Sequence, residues 1–110
     1  MALTSLQVKL LDEYYRRERN KNIYEQALSA CPKGYIARRM VNGNLHHYLQ
    51  WREQNKIRSK YLKNSEVAEI NAGILRRKEL EHTLSELQVD MRLLHKALGK
   101  KVIDEYRGKI

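Results

Sequence analysis

Asn42-Gly43 is the feature that most constrains this chain. A two-residue hairpin turn needs positive φ at both central positions, and Asn and Gly supply it at the least cost. Centring a turn there pairs Val41 with Asn44, Met40 with Leu45 and Ile36 with Leu49. Side chains alternate along a strand, so Ile36, Met40, Leu45, Leu49 and Trp51 share one face. Tyr35, Arg39, His46, Tyr48, Gln50 and Arg52 share the other. One face is apolar and the other basic and aromatic. A slip of one residue would mix them, so the pattern itself argues for the register.

A second turn lies near Glu53-Gln54-Asn55-Lys56 and leads into Ile57–Leu62. A three-residue loop puts Ile57 and Tyr61 on the apolar face and Arg58 and Lys60 on the basic one. A two-residue loop inverts both assignments. The three-residue loop is expected, because it buries more apolar surface. Residues 35–63 therefore read as a three-stranded antiparallel meander.

Helical patterns flank the meander. Leu3, Leu6, Leu10 and Tyr14 fall three or four apart and predict a helix over 3–29. The pattern weakens through Arg16–Asn22 and resumes at Ile23, Tyr24, Ala27 and Leu28. Pro32 and Gly34 end it, since proline has no amide donor and clashes with the preceding turn. Residues 65–98 read as one long helix, with Ser65 as N-cap and Glu66 and Glu69 suited to the positive end of the helix dipole. Leu80, Leu84, Leu87, Met91, Leu94 and Leu98 form a heptad seam, and Gly99 is a natural stop. Such a helix spans roughly 51 Å. Something must lie along it: the N-terminal helix, or a second copy of the chain in a homodimer through the 80–98 stripe. Residues 100–110 read as a short docked helix or a frayed tail. The fold class expected is α+β: an N-terminal helix, a three-stranded meander and a long C-terminal helix, in a single domain over residues 1–110.

Charge is distributed unevenly. The formal net charge is +9, from 22 Lys and Arg against 13 Asp and Glu. Residues 35–63 hold seven basic side chains and one acidic one, so most of the excess sits in the meander. That footprint suits nucleic acid or an acidic nucleoprotein surface. Guanidinium groups match phosphates, and tyrosines stack on bases or bond to backbone oxygens. The candidate contacts are Tyr35, Arg39, Tyr48, Arg52, Arg58 and Lys60, and binding through them should weaken steeply with salt.

The chemistry of most enzymes is missing from the pattern. One cysteine, Cys31, excludes an intramolecular disulfide. His46 and His47 are adjacent in a strand and point to opposite faces, and His82 and His95 are too far apart on a helix to share a metal. Glu53 is the one carboxylate in the meander, where a two-metal nuclease needs several. The glycines are scattered and form no phosphate loop. A non-enzyme without a cofactor is expected. No apolar run approaches membrane-spanning length, and the first nine residues lack a signal-peptide core, so a cytoplasmic protein with no membrane partner is expected.

Gly34-Tyr35-Ile36-Ala37-Arg38-Arg39-Met40-Val41-Asn42-Gly43, then His47-Tyr48-Leu49-Gln50-Trp51-Arg52-Glu53 and Ile57-Arg58-Ser59-Lys60-Tyr61-Leu62, carry a resemblance. With Glu66-Val67 and Arg76-Arg77-Lys78-Glu79-Leu80-Glu81 they resemble a family of short uncharacterised bacterial proteins common in mobile elements and phage-like regions. Some members carry a cysteine cluster before the meander, where this chain has only Cys31. The resemblance implies no settled activity. With the basic meander face, the function expected is that of a small accessory protein of a mobile element that binds nucleic acid, DNA before RNA, through that face. The alternative is a phage-encoded, anti-CRISPR-type inhibitor that binds a host nuclease or its nucleic-acid channel.

Overall fold

The structure is a computed structural model and describes residues 2–109. Helix α1 (Ser5–Ser29) is followed by strands β1 (Tyr35–Val41), β2 (Asn44–Glu53) and β3 (Lys56–Leu62). The long helix α2 (Asn64–Leu98) and the short α3 (Lys100–Glu105) complete the α+β architecture expected from the sequence. The chain divides into two compact units, residues 1–27 with 81–110, and residues 28–80.

The first unit is helical. Thr4 and Gln7 start α1 with a capping box: the Gln7 N–H donates to Thr4 Oγ1, and the Thr4 N–H to Gln7 Oε1. The buried stripe is then Leu11, Tyr14 and Tyr15, with Leu3 and Leu10 packed beside it. Leu6, which the sequence pattern placed on this face, is 65% exposed. At about 100° per residue it sits roughly 140° around the helix from Leu11. The charged stretch of α1 stays helical without a break. Glu13 pairs with Arg16 and Arg17 one turn on, and Lys21 lies 3.9 Å from Glu25.

Ring contact between Tyr14 and His95 and an ion pair between Arg17 and Asp90 (3.5 Å) show that α1 and the C-terminal part of α2 run antiparallel here. Met91, Leu94 and Leu98 of the heptad seam pack on the α1 stripe, so this part of the seam is used within the chain. Gly99 turns the backbone with φ 87°, and α3 brings Ile103 into the same core, 2% exposed. The tail is thus a docked helix. The Tyr15 hydroxyl donates to the Ile103 carbonyl, and Arg107 pairs with Glu18 and lies over the Tyr15 ring.

The second unit sets a three-stranded sheet against the first turns of α2. The strand order is β1-β2-β3. The β1–β2 register is the expected one, with Val41 opposite Asn44, Met40 opposite Leu45 and Ile36 opposite Leu49. Leu49, Leu62 and Ile74 form the core, with Ile36, Trp51, Val67 and Ile70 around them. The α2 N-terminus begins one residue before the expected Ser65. Glu66 reaches back to accept from the Lys63 N–H, so Lys63 takes the cap position and Ser65 lies inside the first turn.

Two contacts join the end of α1 to α2 in this unit. Arg77 donates to the carbonyls of Leu28 (3.1 Å) and Cys31 (3.3 Å), and the Leu28 carbonyl also accepts from the Cys31 N–H (3.0 Å) as the helix ends. A cation there also complements the negative end of the helix dipole. The Pro32 ring meanwhile lies so close to Gly73 that a Cβ at Gly73 would fall 2.7 Å from its Cδ. Gly34 then turns the chain into β1 with φ 101°, and a Cβ there would fall 1.9 Å from the Gln50 carbonyl oxygen.

Two outcomes are expected. Gly73→Ala gains about 1 kcal/mol in helix propensity but costs about 1–3 kcal/mol through overlap with a rigid ring. Denaturant unfolding should therefore show net destabilisation, and Gly73→Ala combined with Pro32→Ala should recover most of it. Burial holds the Tyr14 and Tyr15 hydroxyls above the usual phenol value of 10.0. The native state then keeps protons that the unfolded chain releases, so this stability is complete below that value and lost as pH rises through the folded one. Tyr15→Phe should leave the Ile103 carbonyl unpaired, cost about 1–3 kcal/mol at neutral pH and flatten the alkaline limb of a pH–stability curve.

Candidate nucleic-acid interface

Turn geometry decides which side chains share a face of the sheet. Asn42 and Gly43 both have positive φ (49° and 81°), as a two-residue hairpin demands. Gln54 and Asn55 do the same (50° and 63°), so the second turn also has two residues. This corrects the three-residue loop expected from the sequence. Trp51 stands opposite Arg58, Leu49 opposite Lys60, Arg52 opposite Ile57 and Tyr48 opposite Tyr61. Arg58 and Lys60 therefore share the face of Leu49 and Trp51, and Ile57 and Tyr61 share the face of Tyr48. The argument from burial failed because β3 has almost no core to enter. Leu62 is its one buried residue, and Ile57 and Tyr61 are 65% and 53% exposed. With little apolar area at stake, the local turn sets the register.

The structure thus keeps four of the six candidate residues together. Tyr35, Arg39, Tyr48 and Arg52 lie on the outer face, away from the Leu49–Leu62–Ile74 core, and Arg58 and Lys60 do not. Two more residues join the four. His46 and Tyr61 have ring centroids 5.6 Å apart, and Tyr61 meets Tyr48 edge to face at 5.7 Å. The Arg39 guanidinium lies over the Tyr48 ring, 5.5 Å from its centroid. The result is a continuous patch of three rings and a cation across all three strands. Tyr35 donates its hydroxyl to Gln50 Oε1 at 2.7 Å, which fixes its ring on the same face. The face carries no carboxylate. The one acidic residue of the sheet, Glu53, lies on the opposite face, where it accepts from Trp51 Nε1 (3.3 Å) and pairs with Arg58 (3.9 Å).

Each part of this patch has a chemical use. Aromatic rings offer planes on which bases stack in any sequence, at about 1–3 kcal/mol per base. Guanidinium groups such as those of Arg39 and Arg52 are able to pair with phosphates, and Arg39 is held by the ring beneath it. The alternating pattern identified Tyr35, Arg39, Tyr48 and Arg52. Tyr61 was missed with the register, and the signal for it was Asn55, a residue that tolerates left-handed backbone. His46 and His47 point to opposite faces as expected, His46 beside Arg39 and His47 beside Arg38. Among the described residues no three His, Cys, Asp or Glu side chains are grouped to hold a metal ion, and no helix is long and apolar enough to cross a membrane.

A family model described as a domain of unknown function matches residues 5–72, which takes in α1, the whole sheet and the start of α2. No curated protein and no solved structure matches the chain.

The turn that places Tyr61 can be strengthened. Gln54 pays a left-handed penalty that Asn at the same position largely avoids. Gln54→Asn should raise the unfolding midpoint by an amount equivalent to about 0.5–1 kcal/mol, and cross-peaks between the His46 and Tyr61 rings in a nuclear Overhauser spectrum should persist.

Proposed function

We propose a nucleic-acid-binding role for this chain, which belongs to the DUF6788 family, a domain family of unknown function. The observation that supports it is the outer face of the sheet: the rings of His46, Tyr61 and Tyr48 in contact, Arg39 over Tyr48, Arg52 and Tyr35 flanking them, and no carboxylate among them. Rings on a sheet face, with Tyr61 exposed and Tyr48 and His46 half-buried, favour unpaired bases, because a base inside a duplex has no free plane to offer. The ligand in this reading is therefore a single strand, DNA before RNA, held by stacking and two guanidinium contacts. The protein acts by occupying the strand, without catalysis or a cofactor. A cytoplasmic location belongs to the same reading, as does the mobile-element or phage setting that the sequence resemblance implies.

An inhibitor of a host nuclease is the second reading. Val41 and Ile57, exposed on the same outer face, favour it, because apolar contact serves a protein partner better than a strand.

Fluorescence anisotropy with labelled single-stranded DNA, single-stranded RNA and duplex DNA tests both. Single strands should bind most tightly, with affinity falling as salt rises. Tyr61→Ala and Tyr48→Ala should each weaken binding by about 1–3 kcal/mol. Arg39→Ala should lower both the affinity and the salt slope, and Arg58→Ala should change neither by more than a non-specific charge does. Equal losses from Arg58→Ala and Arg39→Ala would overturn the assignment to the outer face. No binding to any free strand, with capture by a purified nuclease–guide complex, would leave the inhibitor reading in its place.

A further inference from the structure

A cleft of about 640 Å³ opens on the other side of the sheet, where β1 meets α2. Asn64, Asn71 and Lys78 line it from α2. They are spaced seven apart, which puts them on one face of the helix, two turns between each. Ile36, Val67 and Ile74 supply an apolar wall, and Arg38 and His47, paired across β1 and β2, supply a polar one. No carboxylate lines the cleft. Its two cations stand at opposite ends. Arg38 and His47 belong to the end where Leu62, the partner of His47, leads into α2. Lys78 lies beyond Gly73, which holds the Pro32 ring just ahead of Tyr35.

His47 adds an independent sign. Its Nδ1 is buried and has no hydrogen-bond partner. Buried polar atoms are rarely left unpaired, and one that is calls for an explanation, of which a bound group is one. Tyr35 lines the cleft and also belongs to the outer face, because it sits at the edge of β1.

We propose that this cleft receives a short segment of the same single strand, turned over the β1 edge past Tyr35. A phosphate at each end meets Arg38 and Lys78, the Asn71 amide reads a base edge between them, and the apolar wall receives the base. The arrangement of cation, amide and cation suits a phosphodiester segment, where a single anion would engage one end. The ligand class rests on the nucleic-acid reading above. Apart from Tyr35 the residues are different ones, so failure at one site is distinguishable from failure at the other.

The test is a two-dimensional ¹⁵N–¹H titration of the whole chain with 5′-phosphorylated thymidine dinucleotide, alongside thymidine monophosphate and inorganic phosphate. The dinucleotide should shift the amides of Arg38, Asn71 and Lys78 and the imidazole signals of His47, and bind more tightly than either smaller probe. Asn71 and Lys78 are exposed on α2, so their replacement leaves the fold intact. Asn71→Ala and Lys78→Ala should each weaken dinucleotide binding about fivefold, as the loss of one hydrogen bond or ion pair does. Tyr61→Ala on the outer face should not. Shifts confined to the outer face, or dinucleotide affinity unchanged in both cleft variants, would overturn the cleft and leave the outer-face reading standing. Equal affinity for inorganic phosphate would overturn it too, by reducing the cleft to a simple anion site. Loss of long-strand binding in Tyr61→Ala with the cleft shifts retained would support the cleft on its own.

Discussion

The face that each β3 side chain occupies depends on how many residues turn between β2 and β3. Two residues, Gln54 and Asn55, adopt left-handed backbone, and their number rather than their chemistry puts Tyr61 against Tyr48. One more residue would carry Tyr61 to the other side and bring Lys60 up in its place. The aromatic patch therefore exists because of loop parity. A strand with a deep core beneath it would have its register set by burial. This strand, buried at Leu62 alone, takes its register from the turn.

The second unit is tied together through a few atoms. Arg77 donates to the carbonyls of Leu28 and Cys31 where α1 ends, and Gly73 leaves room for the Pro32 ring against α2. Gly34 then admits the Gln50 carbonyl at a distance no side chain would allow. Each contact is small, but together they fix where β1 starts, and so where Tyr35 and Arg39 stand. A helix interior is an expensive place for glycine. Gly73 is explained by what it admits rather than by what it contributes.

Much of this was legible in the residues, for reasons that differ by element. Asn42-Gly43 announced the first hairpin because few residue pairs tolerate its backbone, and the register followed from it. The Leu80–Leu98 seam announced a buried helical stripe because seven-residue spacing has few other uses. The N-terminal helix was legible as a helix and, at Leu3, Leu10 and Tyr14, in its facing. Leu6 mimicked the stripe, while Leu11 and Tyr15, whose hydroxyl donates to the Ile103 carbonyl and whose ring lies under Arg107, filled it. The second turn was misread because a burial argument was applied where there was nothing to be buried in. The cleft was not legible at all. Asn64, Asn71 and Lys78 are unremarkable surface residues until the sheet is laid across from them.

Among the described residues the sheet has two free edges, β1 and β3, and neither is paired with another strand. An open edge is a template on which identical chains can add, strand upon strand, into fibres. Lys56, Arg58 and Lys60 project from β3, and Arg38 and Arg39 from β1. Their charges repel a second copy approaching either edge. The same positive charge that the proposed reading turns toward a polyanion thus also opposes self-association of the chain, and Arg58 and Lys60, which the outer face does not use, contribute to it from β3.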